Sequence, residues 1–219
     1  MREAAVLANL LSGRMSRQRI AATHQPACDG RPVMLLPGFL SSPGAMGVLH
    51  DVLARTGYKV RDWGMGRNMG ARRDTLERLA EQIDAMAQHH GAPVTLIGWS
   101  LGGVYAREAA KNSPDIIRSV MTLGAPFSGD LRANNAWRIY EHVAGHPVDA
   151  PPVAVNTREK PPVPTIAFWS RRDGIVSPVS ARGEHNERDA AIELDCGHLG
   201  FASKPSAVSA ILSALSGAA

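Results

Sequence analysis

Gly98, Ser100 and Gly102 form the pattern G-x-S-x-G, with Gly103 directly after it. A serine flanked by glycines at this spacing suits a nucleophile held on a sharp turn. The residues two before and two after it lie close to neighbouring backbone, where a side chain would not fit. Val94 to Ile97 is a short apolar run bounded by Gly91 and Pro93, as expected of a buried parallel strand. After Ser100, apolar residues at Leu101, Val104, Tyr105, Ala109 and Ala110 fall near helical spacing, and Ser113-Pro114 ends that helix. The expected unit is strand, turn, helix, with the serine on the turn.

A serine hydroxyl is a poor nucleophile at its own pKa. It needs a base, and the base needs an acid to orient it. Behind an elbow of this kind the acid and then the histidine follow in chain order, each on a loop at the C-terminal end of a later strand. His198 follows the candidate strand Ala190 to Leu194 and precedes the last helix, so it is the expected base. His185 lies in the charged stretch 183–189, which reads as a solvated loop. Asp173 follows the candidate strand Pro164 to Trp169 and is the expected acid. Its rivals are Asp149 in a proline-rich loop, Asp189 ahead of a strand and thus at the wrong edge, and Asp195, too near His198 in sequence to orient it easily. A developing oxyanion also needs donors. The backbone N–H of Leu101, directly after the serine, is one. The Phe39 N–H, in the loop Pro37 to Ser42 after the strand Val33 to Leu36, is the other.

The chain resembles a compact bacterial serine lipase or esterase of the α/β-hydrolase superfamily. The resemblance rests on Leu36-Pro37-Gly38-Phe39, Gly98-Trp99-Ser100-Leu101-Gly102-Gly103, Thr122-Leu123-Gly124-Ala125-Pro126-Phe127, Ser170-Arg171-Arg172-Asp173-Gly174 and Gly197-His198-Leu199-Gly200, and covers most of the chain. It implies Ser100 as nucleophile, Asp173 as acid, His198 as base, and Phe39 and Leu101 as oxyanion donors. Many lipases carry histidine where this chain has Pro37. The segment Trp63-Gly64-Met65-Gly66-Arg67-Asn68-Met69-Gly70 is similar to a stretch of uncharacterised bacterial hydrolases of the same group. Its glycine spacing does not fit a dinucleotide fingerprint. Candidates for substrate contact are Trp99, Arg67, Asn68 and Phe127.

These residues must be positioned by alternating strands and helices, hence an α/β class with a mostly parallel central sheet, helices on both faces and a minimal cap. Ser42-Pro43 opens a helix with Met46, Leu49, Val52 and Leu53 on one face. Asp74-x-x-Glu77 reads as a capping box for a second, with Leu76, Leu79, Ile83 and Met86 in one stripe and Gly91 at its end. Ser203 and Pro205 open the last. Residues 1–27 are expected to form a helical extension with basic residues, lacking the apolar core of a signal peptide. Residues 28–219 are expected to form a single domain, interrupted at 128–163 by a proline-rich, polar excursion in the place of a cap. One helix is expected there, from Asn135 to Val143. So small a flap would leave the site an open groove.

Composition narrows the functions. The formal net charge of +4 is modest, and no basic run is interleaved with aromatics, which argues against nucleic acid. No stretch is long enough to span a membrane. The two cysteines, Cys28 and Cys196, do not make an oxidised framework, and Cys196 is expected as a buried neutral thiol, which points to the cytoplasm. His89-His90 lacks partners at ligand spacing, so neither metal nor cofactor is expected. The expected activity is hydrolysis of carboxylic esters through an acyl-enzyme. An acyltransferase or thioesterase with the same triad, or a non-catalytic binding protein on the same fold, are the alternatives. The oligomeric state is open.

Overall fold

The computed structural model describes residues 30–217 except 131, 133, 136, 153 and 154. The expected extension at 1–27 and Cys28 lie outside these residues. Six strands, β1 (Pro32–Leu36), β2 (Lys59–Asp62), β3 (Val94–Trp99), β4 (Ile117–Leu123), β5 (Thr165–Trp169) and β6 (Ala190–Glu193), form one sheet. Their spatial order is β2-β1-β3-β4-β5-β6, and every neighbouring pair runs parallel. The winding direction reverses between β1 and β3. In open parallel sheets the crevice at such a reversal, outside the C-terminal strand ends, is where ligands bind.

The helices are α1 (Gly47–Arg55), α2 (Thr75–His90), α3 (Leu101–Asn112), α4 (Trp137–Ala144), α5 (Pro178–Arg182) and α6 (Pro205–Gly217). Successive strand side chains point to opposite faces. Val33, Leu35, Ile97 and Trp99 therefore pack with Leu49 and Leu53 of α1 and Ile211 and Leu212 of α6. Met34, Leu36, Val94 and Leu96 pack on the other face with Leu79 and Ile83 of α2 and Tyr105 and Ala109 of α3. With both faces covered, the central strands read as unbroken apolar runs rather than alternating ones. Each fully buried large side chain contributes about 1.5–3 kcal/mol relative to exposure. Among the described residues no helix is long and apolar enough to cross a membrane.

Three local expectations change. Asp74 does stand ahead of α2, but its side chain caps nothing; its carboxylate lies 3.6 Å from Arg78 one turn on. The stretch 183–189 is not simply solvated. Glu184 and Glu187 close a capping box around a 3-10 turn, His185–Glu187, and the Glu187 side chain is 2% exposed. Burial opposes its charge, but the Glu184 N–H, the Ser128 hydroxyl and Arg158, 3.0 Å away, together hold it below the usual carboxylate range. Beside it the fully buried Arg107 of α3 donates from Nη2 to the carbonyls of Glu187 (2.9 Å) and Glu159 (3.1 Å). Burial lowers this guanidinium to about 10, so it stays charged at neutral pH and ties α3 to two distant loops. Finally, α4 begins at Trp137, two residues later than expected.

Candidate active site

The reversal between β3 and α3 falls on one residue. Ser100 adopts φ +53° and ψ −124°, a conformation that residues other than glycine rarely take and that persists only where surrounding structure enforces it. Its N–H donates to the Leu123 carbonyl at 2.9 Å, prolonging the sheet by one residue, and its carbonyl accepts the Gly103 N–H at 2.9 Å. The flanking positions leave no room. A Cβ on Gly98 would stand 2.3 Å from the Gly102 carbonyl oxygen, and one on Gly102 would stand 2.3 Å from that of Leu36. The end of β1 thus presses directly on the elbow.

At the same sheet edge the loop after β5 carries Asp173 and the turn after β6 carries His198. Asp173 Oδ1 accepts the N–H groups of Ile175 (2.9 Å) and Val176 (3.0 Å), which fixes the carboxylate. Its Oδ2 lies 2.8 Å from His198 Nδ1. With Nδ1–H directed at the carboxylate, Nε2 carries the lone pair and can accept a proton. Both residues are buried, Asp173 to 9% exposure and His198 to 6%. Trp99, the residue before the serine, donates its indole N–H to the His198 carbonyl at 3.1 Å, and the two rings lie 5.5 Å apart. The rival acids are engaged elsewhere. Asp189 caps the start of β5 through the Thr165 N–H at 2.8 Å, Asp195 pairs with Arg172 at 3.0 Å, and Asp149 pairs with Arg132 at 3.1 Å. Burial pushes the Cys196 thiol up to about 11, so it is neutral and no competing nucleophile at pH 7.

The loop after β1 crosses over the serine: a Cβ on Gly38 would lie 3.2 Å from Ser100 Cβ. Among the described residues neither the Phe39 N–H nor the Leu101 N–H donates to a protein acceptor, so both are available at this edge. Ser100 opens onto a cavity of about 80 Å³. Phe39, Val104, Tyr105 and Val176 line it together with Trp137, Tyr140 and Val148 from the 128–163 excursion. The excursion therefore covers the site more closely than an open groove. No charged side chain lines the pocket among the described residues. The Tyr105 hydroxyl is buried with no hydrogen-bond partner among them, and burial keeps it firmly protonated.

Of the expected substrate contacts, Trp99 is buried against His198 and is not among the residues lining the pocket. Phe127 is a correction: it is fully buried and lies face-on beneath Arg107, whose guanidinium carbon is 4.1 Å from the ring centre. Arg67, which is exposed, and the buried Asn68 bond the 37–42 loop through the Leu40 and Pro37 carbonyls and are not among the residues lining the Ser100 pocket. Sequence reasoning misses Tyr105, Trp137 and Tyr140 as pocket residues. Trp137 and Tyr140 are three apart on a helix, so their shared face was available as a signal. Tyr105 is indistinguishable in sequence from a core position of α3.

The model of the alpha/beta hydrolase fold matches residues 31–150. No curated protein matches the sequence. Among solved structures, a monoacylglycerol lipase of Paleococcus ferrophilus is similar with a TM-score of 0.63 at 18% identity, covering 87% of this chain and 97% of that one. A carboxylesterase of Bacillus subtilis is similar with a TM-score of 0.58 at 16% identity, covering 88% and 86%. A 2-hydroxy-6-oxo-6-phenylhexa-2,4-dienoate hydrolase of Rhodococcus matches with a TM-score of 0.58 at 16% identity, covering 84% and 89%. At such identities the likeness concerns the fold, and activity has to be argued from the site. With the family model matching more than half of its length, the chain belongs to the alpha/beta hydrolase fold family.

Proposed function

We propose that the protein is a serine hydrolase that cleaves carboxylic esters with an uncharged, apolar acyl group through an acyl-enzyme. The observation that carries this reading is the strained Ser100 elbow standing at the sheet edge that also bears the buried His198–Asp173 pair, 2.8 Å apart. In this mechanism His198 Nε2 takes the proton as Ser100 Oγ attacks the acyl carbon. Asp173 keeps the imidazole in the needed tautomer and stabilises its charged form. The Phe39 and Leu101 N–H groups receive the oxyanion; one such donor is worth about 3 kcal/mol of barrier. His198 then protonates the leaving alcohol, and a water, deprotonated by the same ring, releases the acid. An apolar, uncharged pocket beside Ser100 supports an acyl group of that character.

The test combines a fluorophosphonate probe with a set of esters. A single adduct on the Ser100 peptide is expected, with turnover of neutral esters and little turnover of succinylated ones. Ser100→Ala should fold, take no probe and keep less than about 1% of the activity, since loss of a triad member costs several orders of magnitude. A folded protein that takes no probe and cleaves no ester removes the hydrolase reading.

A further inference from the structure

The segment from Trp63 to Gly70 takes no part in the chemistry above, yet it is hydrogen-bonded repeatedly to the 37–42 loop. Asn68 is fully buried. Its carbonyl accepts the Leu40 N–H at 2.7 Å, and its N–H donates to the Ser41 carbonyl at 3.0 Å. Its side-chain Nδ2 donates to the Pro37 carbonyl at 2.8 Å, and its Oδ1 accepts the Gly70 N–H at 3.1 Å, so the amide is held at both ends. Arg67 adds a bond from Nη1 to the Leu40 carbonyl at 2.6 Å.

Among the described residues these bonds leave the Phe39 N–H, like those of Gly38 and Ser42, without a protein acceptor, and the bonds on either side of it determine its direction. The Phe39 N–H belongs to the peptide that joins Gly38 to Phe39. The Asn68 amide holds the peptide before it, through the Pro37 carbonyl. The Asn68 carbonyl holds the peptide after it, through the Leu40 N–H. The Gly38 carbonyl is itself bonded to the Ser41 N–H at 3.0 Å. In a trans peptide the C=O and N–H point in opposite directions. A Gly38 carbonyl turned inward to Ser41 therefore turns the Phe39 N–H outward. Leu40 adopts φ +59°, a left-handed conformation that a leucine keeps only where its neighbours impose it.

We propose that Asn68 is the positioning residue of the oxyanion hole: its buried side-chain amide on the Pro37 carbonyl, together with its backbone bonds to Leu40 and Ser41, aims the Phe39 N–H at the acyl oxygen. This rests on the ester-hydrolase reading. It also accounts for a segment that otherwise looks like a substrate-contact loop. Asn68 touches no substrate in this assignment and acts through Phe39 alone.

The test is Asn68→Asp, which keeps the Gly70 acceptor and replaces the Nδ2 donor with an oxygen facing the Pro37 carbonyl. Turnover is measured per serine titrated with fluorophosphonate, and amide hydrogen exchange is followed across residues 37–42. The expected result is a fall in kcat of about a hundredfold with KM within about twofold, as for a displaced donor, together with faster exchange in the loop. A kcat per titrated serine within about threefold of wild type, or unchanged loop exchange, overturns the proposal. If Asn68→Asp does not fold, Arg67→Ala removes only an exposed bond to Leu40. It is expected to cost about threefold or more in kcat with faster loop exchange, and no change in either overturns the clamp. If the wild type cleaves no ester, the hydrolase reading falls on that result. Loop exchange in the variant still decides whether Asn68 holds the loop.

Discussion

Around Ser100 the backbone is held by contact; around Phe39 it is held by hydrogen bonds from a segment some thirty residues away. At the elbow, positions 98 and 102 lie so close to neighbouring main chain that a methyl group would have to stand 2.3 Å from a carbonyl oxygen. In the 37–42 loop the crowding is milder, a Cβ on Gly38 standing 3.2 Å from Ser100 Cβ, and the shape depends also on Asn68, separated by 31 residues from the Pro37 carbonyl it bonds. The first kind of support is steep and local, because repulsion rises sharply over a fraction of an ångström. The second is shared among several bonds of about 1 kcal/mol each. An elbow of the first kind should fail outright when altered, whereas the loop should loosen by degrees.

Three substitutions test that contrast. The largest effect is expected from Gly102→Ala, whose new methyl meets the backbone of Leu36 and Pro37 with no flexible side chain to yield. Turnover should fall by about a thousandfold or more. The melting temperature should drop by several degrees, given about 1–3 kcal/mol for overpacking. Scanning calorimetry with active-site titration checks both, and a variant of normal stability and activity would remove the distinction. Trp99→Phe comes next. It keeps an aromatic ring but deletes the indole bond to the His198 carbonyl, so kcat should fall about five- to tenfold at constant KM. A large rise in KM instead would place Trp99 in substrate binding. The smallest effect belongs to Tyr140→Phe on the loop side. Its hydroxyl makes only long contacts, 3.4 Å from the Ala71 N–H and 3.4 Å from His146 Nε2, so steady-state rates should stay within about threefold. A tenfold loss would mean that the excursion holds the 63–71 segment as firmly as Asn68 holds the loop.

The same contrast explains what can be read from the residues alone. Crowding at the elbow leaves a short, local record, G-x-S-x-G between an apolar run and a helix, so β3, α3 and Ser100 are legible together. His198 and Asp173 are legible because each follows a recognisable strand, β6 and β5, at the edge where such sheets carry their chemistry. Asn68 stands out in sequence as a substrate contact, whereas the fold uses it as a clamp. A buried asparagine bonded to remote carbonyls looks, in sequence, like any polar loop residue. Phe127 misleads for the same reason, since nothing local reveals the Arg107 guanidinium above it. The Asp74–Glu77 spacing matches a capping box, but Arg78 one turn later competes for the Asp74 carboxylate. The pocket wall is the least legible part, because it is assembled from α3 and from an excursion with little regular structure of its own.

In the proposed reading, that mixed wall separates reactivity from selectivity. The groups proposed to carry the chemistry all belong to the strand ends of the sheet, whereas Trp137, Tyr140 and Val148 belong to a segment whose described residues contribute no strand to it. Grafting a different 128–163 segment between β4 and β5 would therefore exchange the shape of the pocket while leaving the strand ends beneath it in register, provided the replacement keeps the Glu159 carbonyl that Arg107 grips. The scaffold is, in effect, a fixed engine with an interchangeable template.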